Sequence, residues 1–252
     1  MHCCRTIAKI GFLKRSLARH LFPALALVAV ISAAVHTTPA WALKFCDLTS
    51  RHCVEQKCEL PFNRVRKGIL NAYAFFEHLG YYGKFDVDIV FEHEVLTILP
   101  SNKDVSKIRL LGKYEENQKT IYMTCWGEKW LSKRNDFELE MTADFYETII
   151  THEMIHFLAN RYAKTKLDVI LSEYIAYSGQ LSLFPEAQIK FLASKYNASA
   201  FENDEISELT FVMSPGLFAL KSYLHFKKTN GVLVKKILEG SFTTPSRPWP
   251  PY

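Results

Sequence analysis

The segment that decides the fold is MTADFYETIITHEMIHFLANRYAK, residues 141–164. It has a long helical pattern that is apolar over much of its surface. Within it lies the five-residue motif His152-Glu153-Met154-Ile155-His156. Because residues i and i+4 lie on one face of a helix, His152 and His156 can direct their imidazoles at one point. We therefore expect a metal site on this helix, with Zn²⁺ as the ion, since zinc readily binds imidazole nitrogens.

A third ligand must come from elsewhere in the chain, because a catalytic zinc ion takes three protein ligands and keeps one open position. Residues 167–184 predict a second helix, and the polar stretch 160–168 can turn the chain between two antiparallel helices. Glu173 on that second helix is the candidate ligand. Asp168 competes for this role, but its place at the start of the helix favours an N-terminal cap or a partner for the helix dipole.

Glu153 directly follows the first predicted ligand, so we expect its carboxylate beside the metal rather than on it. There it can take a proton from an activated water and pass it to a leaving amine. A second segment, His93-Glu94-Val95-Leu96-Thr97, begins like the same motif but ends in a threonine. It also follows a strand pattern, in which residues i and i+4 lie too far apart. We expect no metal site there.

The two helical segments together resemble the gluzincin group of zinc metallopeptidases. The resemblance rests on His152-Glu153-x-x-His156 followed by Ser172-Glu173-Tyr174-Ile175-Ala176, and it covers residues 146–180. It implies a zincin-like fold in which His152, His156 and Glu173 hold one zinc ion. It also implies that Glu153 is the general base.

The resemblance further implies an edge strand beside the cleft that pairs with an extended substrate, and residues 120–126 are the candidate strand. Many gluzincins carry an acidic residue one turn after the third ligand, where this chain has Tyr177. The tyrosine hydroxyl could hold a ligand histidine, or the ring could simply pack. The group stabilises the oxyanion with a tyrosine or a histidine. The candidates left open here are Tyr174, Tyr177, Tyr223 and His225.

The rest of the chain places strands before the metal helix and further helices after it. Strands are predicted at 85–91 and 120–126, whereas 43–60 has no clear periodicity and 100–107 is polar and loop-like. The remaining helices are predicted at 62–81, 186–196, 205–227 and 232–239. This order favours an α+β fold, in which a small sheet with an active-site helix is followed by a mainly helical C-terminal half.

Residues 1–42 have the features of a signal peptide. Five basic residues without an acidic one precede an apolar run at 21–35, and Pro39-Ala40-Trp41-Ala42 has the small-x-small pattern of a cleavage site. We expect cleavage after Ala42 and a periplasmic or secreted protein without stable membrane insertion. The apolar run is short for the alternative, an uncleaved membrane anchor.

The leader also accounts for the positive charge of the whole chain. It holds five of the 31 basic residues and none of the 26 acidic residues, so the mature chain is neutral. This removes the basis for nucleic-acid binding driven by excess positive charge.

Four cysteines remain after cleavage, namely Cys46, Cys53, Cys58 and Cys125. An even number in an exported chain predicts two disulfides. Three of the four lie close together in sequence, so at least one bridge is local, and we expect the other to tie this segment to Cys125. A second metal site is the alternative, but the spacings match no common zinc knuckle.

These features predict an exported zinc metallohydrolase, specifically a peptidase that acts on a peptide or protein substrate. We expect the catalytic domain at 43–244 and a flexible Pro-rich tail at 245–252. Two alternatives remain. One is a non-catalytic protein that keeps zinc for structure or for peptide binding, and the other is an amidase that acts on a cell-wall component. The metal apparatus does not distinguish them, because specificity comes from the walls of the cleft.

Overall fold

The computed structural model describes residues 43–47, 52–56, 62–100, 105–126, 137–202 and 205–244, all within one compact unit that spans residues 40–252. The predicted signal peptide, the predicted Pro-rich tail and Cys58 lie outside the described residues, so those predictions stay predictions. In the part of the chain that is described, no helix is long and apolar enough to cross a membrane.

Seven strands form two sheets in the described part of the chain. They are β1 (Leu43–Asp47), β2 (His52–Gln56), β3 (Val87–Glu92), β4 (Val95–Pro100), β5 (Val105–Leu110), β6 (Gly112–Glu115) and β7 (Thr120–Thr124). The larger sheet has the order β1-β2-β3-β7-β6, and β4 and β5 form a separate antiparallel pair. Strands β2, β3 and β7 are parallel, whereas β1 and β6 run antiparallel to their neighbours. Strand β6 is therefore one edge of the larger sheet.

The helices are concentrated after the strands, which confirms the predicted α+β class. They are α1 (Phe62–His78), α2 (Ala143–Tyr162), α3 (Val169–Leu181), α4 (Glu186–Tyr196), α5 (Glu208–Met213), α6 (Pro215–Thr229) and α7 (Val232–Leu238). Among the described helices, α1 alone precedes the parallel strands β3 and β7.

Helix α2 is enclosed by the other elements. It packs against α1 and α3 on one side and against β6 and β7 on the other, and nearly every residue from Phe145 to Ala159 is buried. A helix that is apolar around most of its circumference must be covered in this way. The polar residues Thr148, His152 and Glu153 are buried with it. They need partners inside the protein, because an unpaired buried polar group costs about 1–3 kcal/mol.

Both helices that carry the predicted ligands begin at a side-chain cap. The Thr142 side chain accepts a hydrogen bond from the Phe145 amide at the start of α2. The Asp168 side chain accepts one from the Leu171 amide at the start of α3. This confirms the prediction that Asp168 is an N-terminal cap, a role that satisfies one of the free amides of the first turn. The two caps fix where α2 and α3 begin and hence which residues face each other.

The structure differs from the sequence prediction in several strands and in one helix. Residues 43–60 contain the antiparallel pair β1 and β2, and the predicted loop 100–107 includes the end of β4 and the start of β5. Strands this short give little periodicity. The predicted helix 205–227 is two helices, because Pro215 has no N–H to continue the hydrogen bonding of α5. It takes the first position of α6 instead.

The described residues include only part of the predicted set of disulfide-bonded cysteines. Cys46 and Cys53 are directly opposite each other in the register of β1 and β2, and Cys125 is buried just after β7. The side chains of the first two lie outside those described. The pairing of the four cysteines therefore stays a prediction.

Candidate metal centre

The three predicted metal ligands come together where α2 and α3 face each other. His152 and His156 project from successive turns of α2, and their Nε2 atoms lie 3.0 Å apart. From α3, the Glu173 carboxylate lies 3.4 Å from His152 Nε2 and 3.5 Å from His156 Nε2. One candidate ligand atom from each residue falls within 4.8 Å of the other two. Two residues one turn apart on one helix and a third on the next thus form one group, as the sequence predicts.

Helix α3 also supplies a partner for the second nitrogen of each imidazole. His152 Nδ1 lies 3.0 Å from Gln180 Oε1, and His156 Nδ1 lies 2.7 Å from Ser172 Oγ. Such partners fix the ring orientation of metal-binding histidines. The sequence analysis missed both. The available signal was the spacing of Glu173 and Gln180, because residues seven apart lie on the same face of a helix two turns apart.

The charges of the three residues are strongly coupled. Burial lowers the pKa of His152, but the hydrogen bond and the charge of Glu173 outweigh burial and the pKa is raised. Burial lowers the pKa of His156 to about 4, with only partial compensation from Glu173. Burial raises the pKa of Glu173, but the charges of His156 and His152 outweigh burial and lower it. The group therefore favours an ionised carboxylate beside two imidazoles.

This donor set fits a zinc ion. Two imidazole nitrogens and one carboxylate oxygen are a common set of three protein ligands in catalytic zinc sites. The three side chains meet in a buried place where a negative carboxylate and two imidazole nitrogens converge, which a shared cation would stabilise. Among the described residues, the group of candidate metal ligands is formed by His152, His156 and Glu173, and the absence of a metal site at His93 and Glu94 stays a prediction.

Glu153 lies beside this group and against the edge strand β6. A Cβ placed on Gly112 would lie 2.6 Å from Glu153 Cγ and 2.8 Å from its Oε1, so the carboxylate fits only because residue 112 is glycine. The backbone amide of Tyr114 donates a hydrogen bond to the same carboxylate. Burial, with a smaller contribution from Glu173, raises the pKa of Glu153 to about 7. A carboxyl group with such a pKa can exchange protons near neutral pH.

The predicted edge strand is wrong. Residues 120–126 were expected at the sheet edge, but β7 pairs with β3 on one side and with β6 on the other. The edge strand beside α2 is β6. The Thr124 amide bonds to the Leu111 carbonyl, and bonding residues alternate along an antiparallel strand. The backbone groups of Gly112 and Tyr114 therefore face away from β7, which agrees with the bond from Tyr114 to Glu153.

The four candidate oxyanion stabilisers differ in their positions relative to His152, His156 and Glu173. The Tyr174 hydroxyl and His225 Nδ1 are 2.8 Å apart and buried, so these two residues bond to each other. Tyr223 lines a different groove, between α1, α3 and α6. The Tyr177 ring centroid lies 4.6 Å from that of His152. Among the described contacts of these four residues, the Tyr177 ring is the one that touches His152.

Comparison with known proteins gives a family but no function. Residues 62–247 match a family of unknown function, DUF6639, and the chain belongs to that family. The matched region contains His152, Glu153, His156 and Glu173 together with all seven helices. No curated protein and no solved structure matches the chain. The likeness to gluzincins and to the zincin fold therefore stays a prediction from the sequence.

Proposed function

We propose that this protein is a zinc-dependent metallohydrolase of the gluzincin type, with a zincin-like fold, that cleaves peptide bonds. The observation that carries the proposal is the convergence of His152, His156 and Glu173 within 4.8 Å, with the Glu153 carboxylate held beside them against a sheet edge. The proposal retains export to the periplasm or the exterior, as predicted from residues 1–42.

Each residue of the site has a defined role in the proposed reaction. The Nε2 atoms of His152 and His156 and the carboxylate of Glu173 would hold one zinc ion. Bound zinc supplies Lewis acidity, which polarises a carbonyl and makes water more acidic. Glu153 accepts a proton from the attacking water while the hydroxyl oxygen adds to the scissile carbonyl carbon. It then passes that proton to the amine nitrogen as the C–N bond breaks.

A peptide substrate is favoured over other amides by the position of β6. Its outer edge carries the backbone groups of Gly112 and Tyr114, and these are next to Glu153. The Tyr114 amide already bonds to Glu153, so an extended peptide would pair with the backbone of Gly112 and with the Tyr114 carbonyl, and these main-chain hydrogen bonds would place its carbonyls along the strand. Cleavage next to Glu153 would follow from that alignment.

The test is cleavage of an unbiased peptide library by the wild-type protein and by the Glu153→Gln variant, with zinc measured in both. The glutamine has the shape of the base but cannot take up the proton. We expect about one zinc ion per chain in both proteins. We expect cleavage by the wild type, and a loss of about 10²–10⁴-fold or more in the variant.

The matched control is Glu147→Gln, which changes another buried glutamate of α2 that pairs with Arg64 and Lys67. It should cleave like the wild type. Undiminished cleavage by Glu153→Gln would overturn the assigned base. If no library member is cleaved, isolated cell-wall material is assayed next. Its cleavage would favour the amidase, whereas zinc without cleavage of either substrate would favour the non-catalytic alternative.

A further inference from the structure

A chain of hydrogen bonds behind His152 begins at a backbone carbonyl. The Thr148 hydroxyl donates to the Phe145 carbonyl at 2.7 Å. A hydroxyl has a single proton to donate. Towards Gln180 Nε2, which lies 3.3 Å away, Thr148 Oγ1 can therefore only accept. The amide –NH₂ group of Gln180 must face Thr148.

The orientation of the Gln180 amide then determines the proton on His152. With its –NH₂ group towards Thr148, Gln180 presents its Oε1 to His152 Nδ1 at 3.0 Å. An amide oxygen only accepts hydrogen bonds, so Nδ1 must carry the hydrogen. A neutral imidazole carries one such hydrogen. His152 Nε2 is therefore left with a lone pair, and it is this nitrogen that lies beside His156 and Glu173.

The burial of these residues disfavours the reversed orientation of the Gln180 amide. Gln180 is 4 % exposed, Thr148 7 % and His152 8 %, so solvent does not readily replace any of these partners. A reversed Gln180 amide would place its oxygen against Thr148 Oγ1 and its –NH₂ group against His152 Nδ1. Thr148 could then satisfy the Gln180 oxygen only by withdrawing its proton from the Phe145 carbonyl, to which it donates at 2.7 Å. The reversed arrangement therefore loses one buried hydrogen bond, which is worth about 0.5–1.5 kcal/mol.

The second ligand histidine has no such constraint. His156 Nδ1 contacts Ser172 Oγ at 2.7 Å, and a serine hydroxyl can either donate or accept. The arrangement around His156 is thus compatible with either neutral form of the ring. Only His152 has a partner whose direction is fixed by a third residue.

We propose that Thr148 and Gln180 are positioning residues that hold His152 as the Nδ1–H tautomer, so that its Nε2 lone pair faces the metal. We call this chain, from the Phe145 carbonyl through Thr148 and Gln180 to His152, the amide relay. The proposal rests on the zinc site of the proposed function. It adds that two residues without a metal-binding role prepare one ligand before the ion arrives.

The first test needs no metal and no variant. Nitrogen-15 NMR of the metal-free protein, at an alkaline pH where the histidines are neutral, distinguishes the two tautomers by the chemical shifts of the ring nitrogens. The amide relay predicts Nδ1–H for His152. Observation of Nε2–H at His152 would overturn it, whether or not the protein binds zinc.

The second test measures zinc affinity by competition with a chelator. Removing a partner that orients a ligand histidine typically weakens metal binding about 10–100-fold. We expect a loss in that range for Gln180→Leu, and a smaller loss for Thr148→Val, which keeps the shape of threonine without its hydroxyl. Thr148→Ser restores the hydroxyl and should bind zinc like the wild type.

The outcomes separate the amide relay from the metal site itself. A wild-type protein that binds no zinc would contradict the proposed function, and the NMR result would still decide the tautomer. Zinc binding by the wild type with an unchanged affinity in Thr148→Val and Gln180→Leu would contradict the relay. Equal losses in Thr148→Val and Thr148→Ser would also contradict it, because the serine retains the required proton.

Discussion

The fold buries Glu153, whose exposed fraction is 7 %. Its carboxyl group lies between the edge strand β6 and the group formed by His152, His156 and Glu173. Burial is the largest influence on it and raises its pKa from 4.5 to about 7, against the opposing effects of His152 and the Tyr114 amide. A group held in this way is useful for proton transfer near neutral pH. Because ionising a buried carboxyl group is costly, the ionised form of Glu153 also lowers the stability of the metal-free protein.

This cost predicts a pH-dependent effect of Glu153→Gln on the metal-free protein. Between pH 4.5 and about 7 the folded state keeps the Glu153 proton that the unfolded state has lost. The contribution of Glu153 to the free energy of unfolding therefore falls as the pH rises through this window. Relative to the wild type, the variant should gain on the order of 2–3 kcal/mol by pH 8 and little at pH 4. Urea unfolding at the two pH values measures the difference.

The comparison of variant with wild type is needed because burial lowers the pKa of His156 to about 4. The contribution of His156 to the free energy of unfolding therefore rises with pH in an overlapping range, opposite to that of Glu153. The control is Glu147→Gln, which alters a glutamate already paired with Arg64 and Lys67, and it should show no such gain. A wild-type protein with the same stability as Glu153→Gln at both pH values would show that Glu153 ionises freely in the fold.

At the residue scale, the sequence predicted which three side chains come together, but it did not predict the residues that pack around them. Helical spacing alone predicts that His152 and His156 lie together, and the search for a third candidate ligand led to Glu173, which the structure brings beside them. Gly112 and Gln180 were missed. Their roles depend on contacts between elements that are far apart in sequence, and a glycine or a glutamine alone has no chemical signature of such a contact.

At the scale of elements, the site depends on how closely α3 approaches α2. Gly179 is the point of contact, since a Cβ there would overlap Ile155 Cδ1 and lie 3.3 Å from the Phe75 ring. The same helix carries Glu173 and Gln180. The separation of the two helices therefore sets the distance between the third ligand and the two histidines.

We predict that Gly179→Ala weakens both folding and zinc binding. The added methyl group meets the end of the buried Ile155 side chain, so either that side chain turns within the core or α3 moves away from α2, and overpacking of this kind costs about 1–3 kcal/mol. Thermal unfolding of the metal-free protein and chelator competition measure the two effects. The control Ser182→Ala changes an exposed residue directly after the same helix and should affect neither.

A second substitution tests the geometry of this prediction. Ile155→Val removes the Cδ1 atom that the new methyl group meets, so the double variant should recover much of the lost zinc affinity. Recovery would be a coupling between two contacting residues. Zinc binding by Gly179→Ala at the wild-type affinity would show that the helix separation does not control the site.

The same scale explains which elements the sequence could predict. Helices α2 and α3 are long enough for their periodicity and caps to be recognised. Strand order is different, because whether β6 or β7 forms the edge depends on pairing that local patterns do not encode. The break between α5 and α6 was available in the sequence, since Pro215 cannot continue a helix.

At the scale of the whole molecule, the fold encloses α2 between a sheet edge and two helices. The predicted class is confirmed as α+β, whereas the finer zincin-like assignment remains part of the proposal. A mainly helical half that follows a small sheet leaves one face of α2 beside β6 and another beside α3. Glu173 reaches the two histidines from α3, whereas Glu153 lies on α2 itself and faces β6.

The most direct test of the central claim is the zinc content of the purified protein, measured by elemental analysis after dialysis. We predict about one zinc ion per chain in the wild type and almost none when His152 and His156 are both replaced by alanine. His93→Ala should retain the metal, because His93 begins a similar motif outside the site. Absence of zinc from the wild type after reconstitution, or equal zinc in the double variant, would contradict the account.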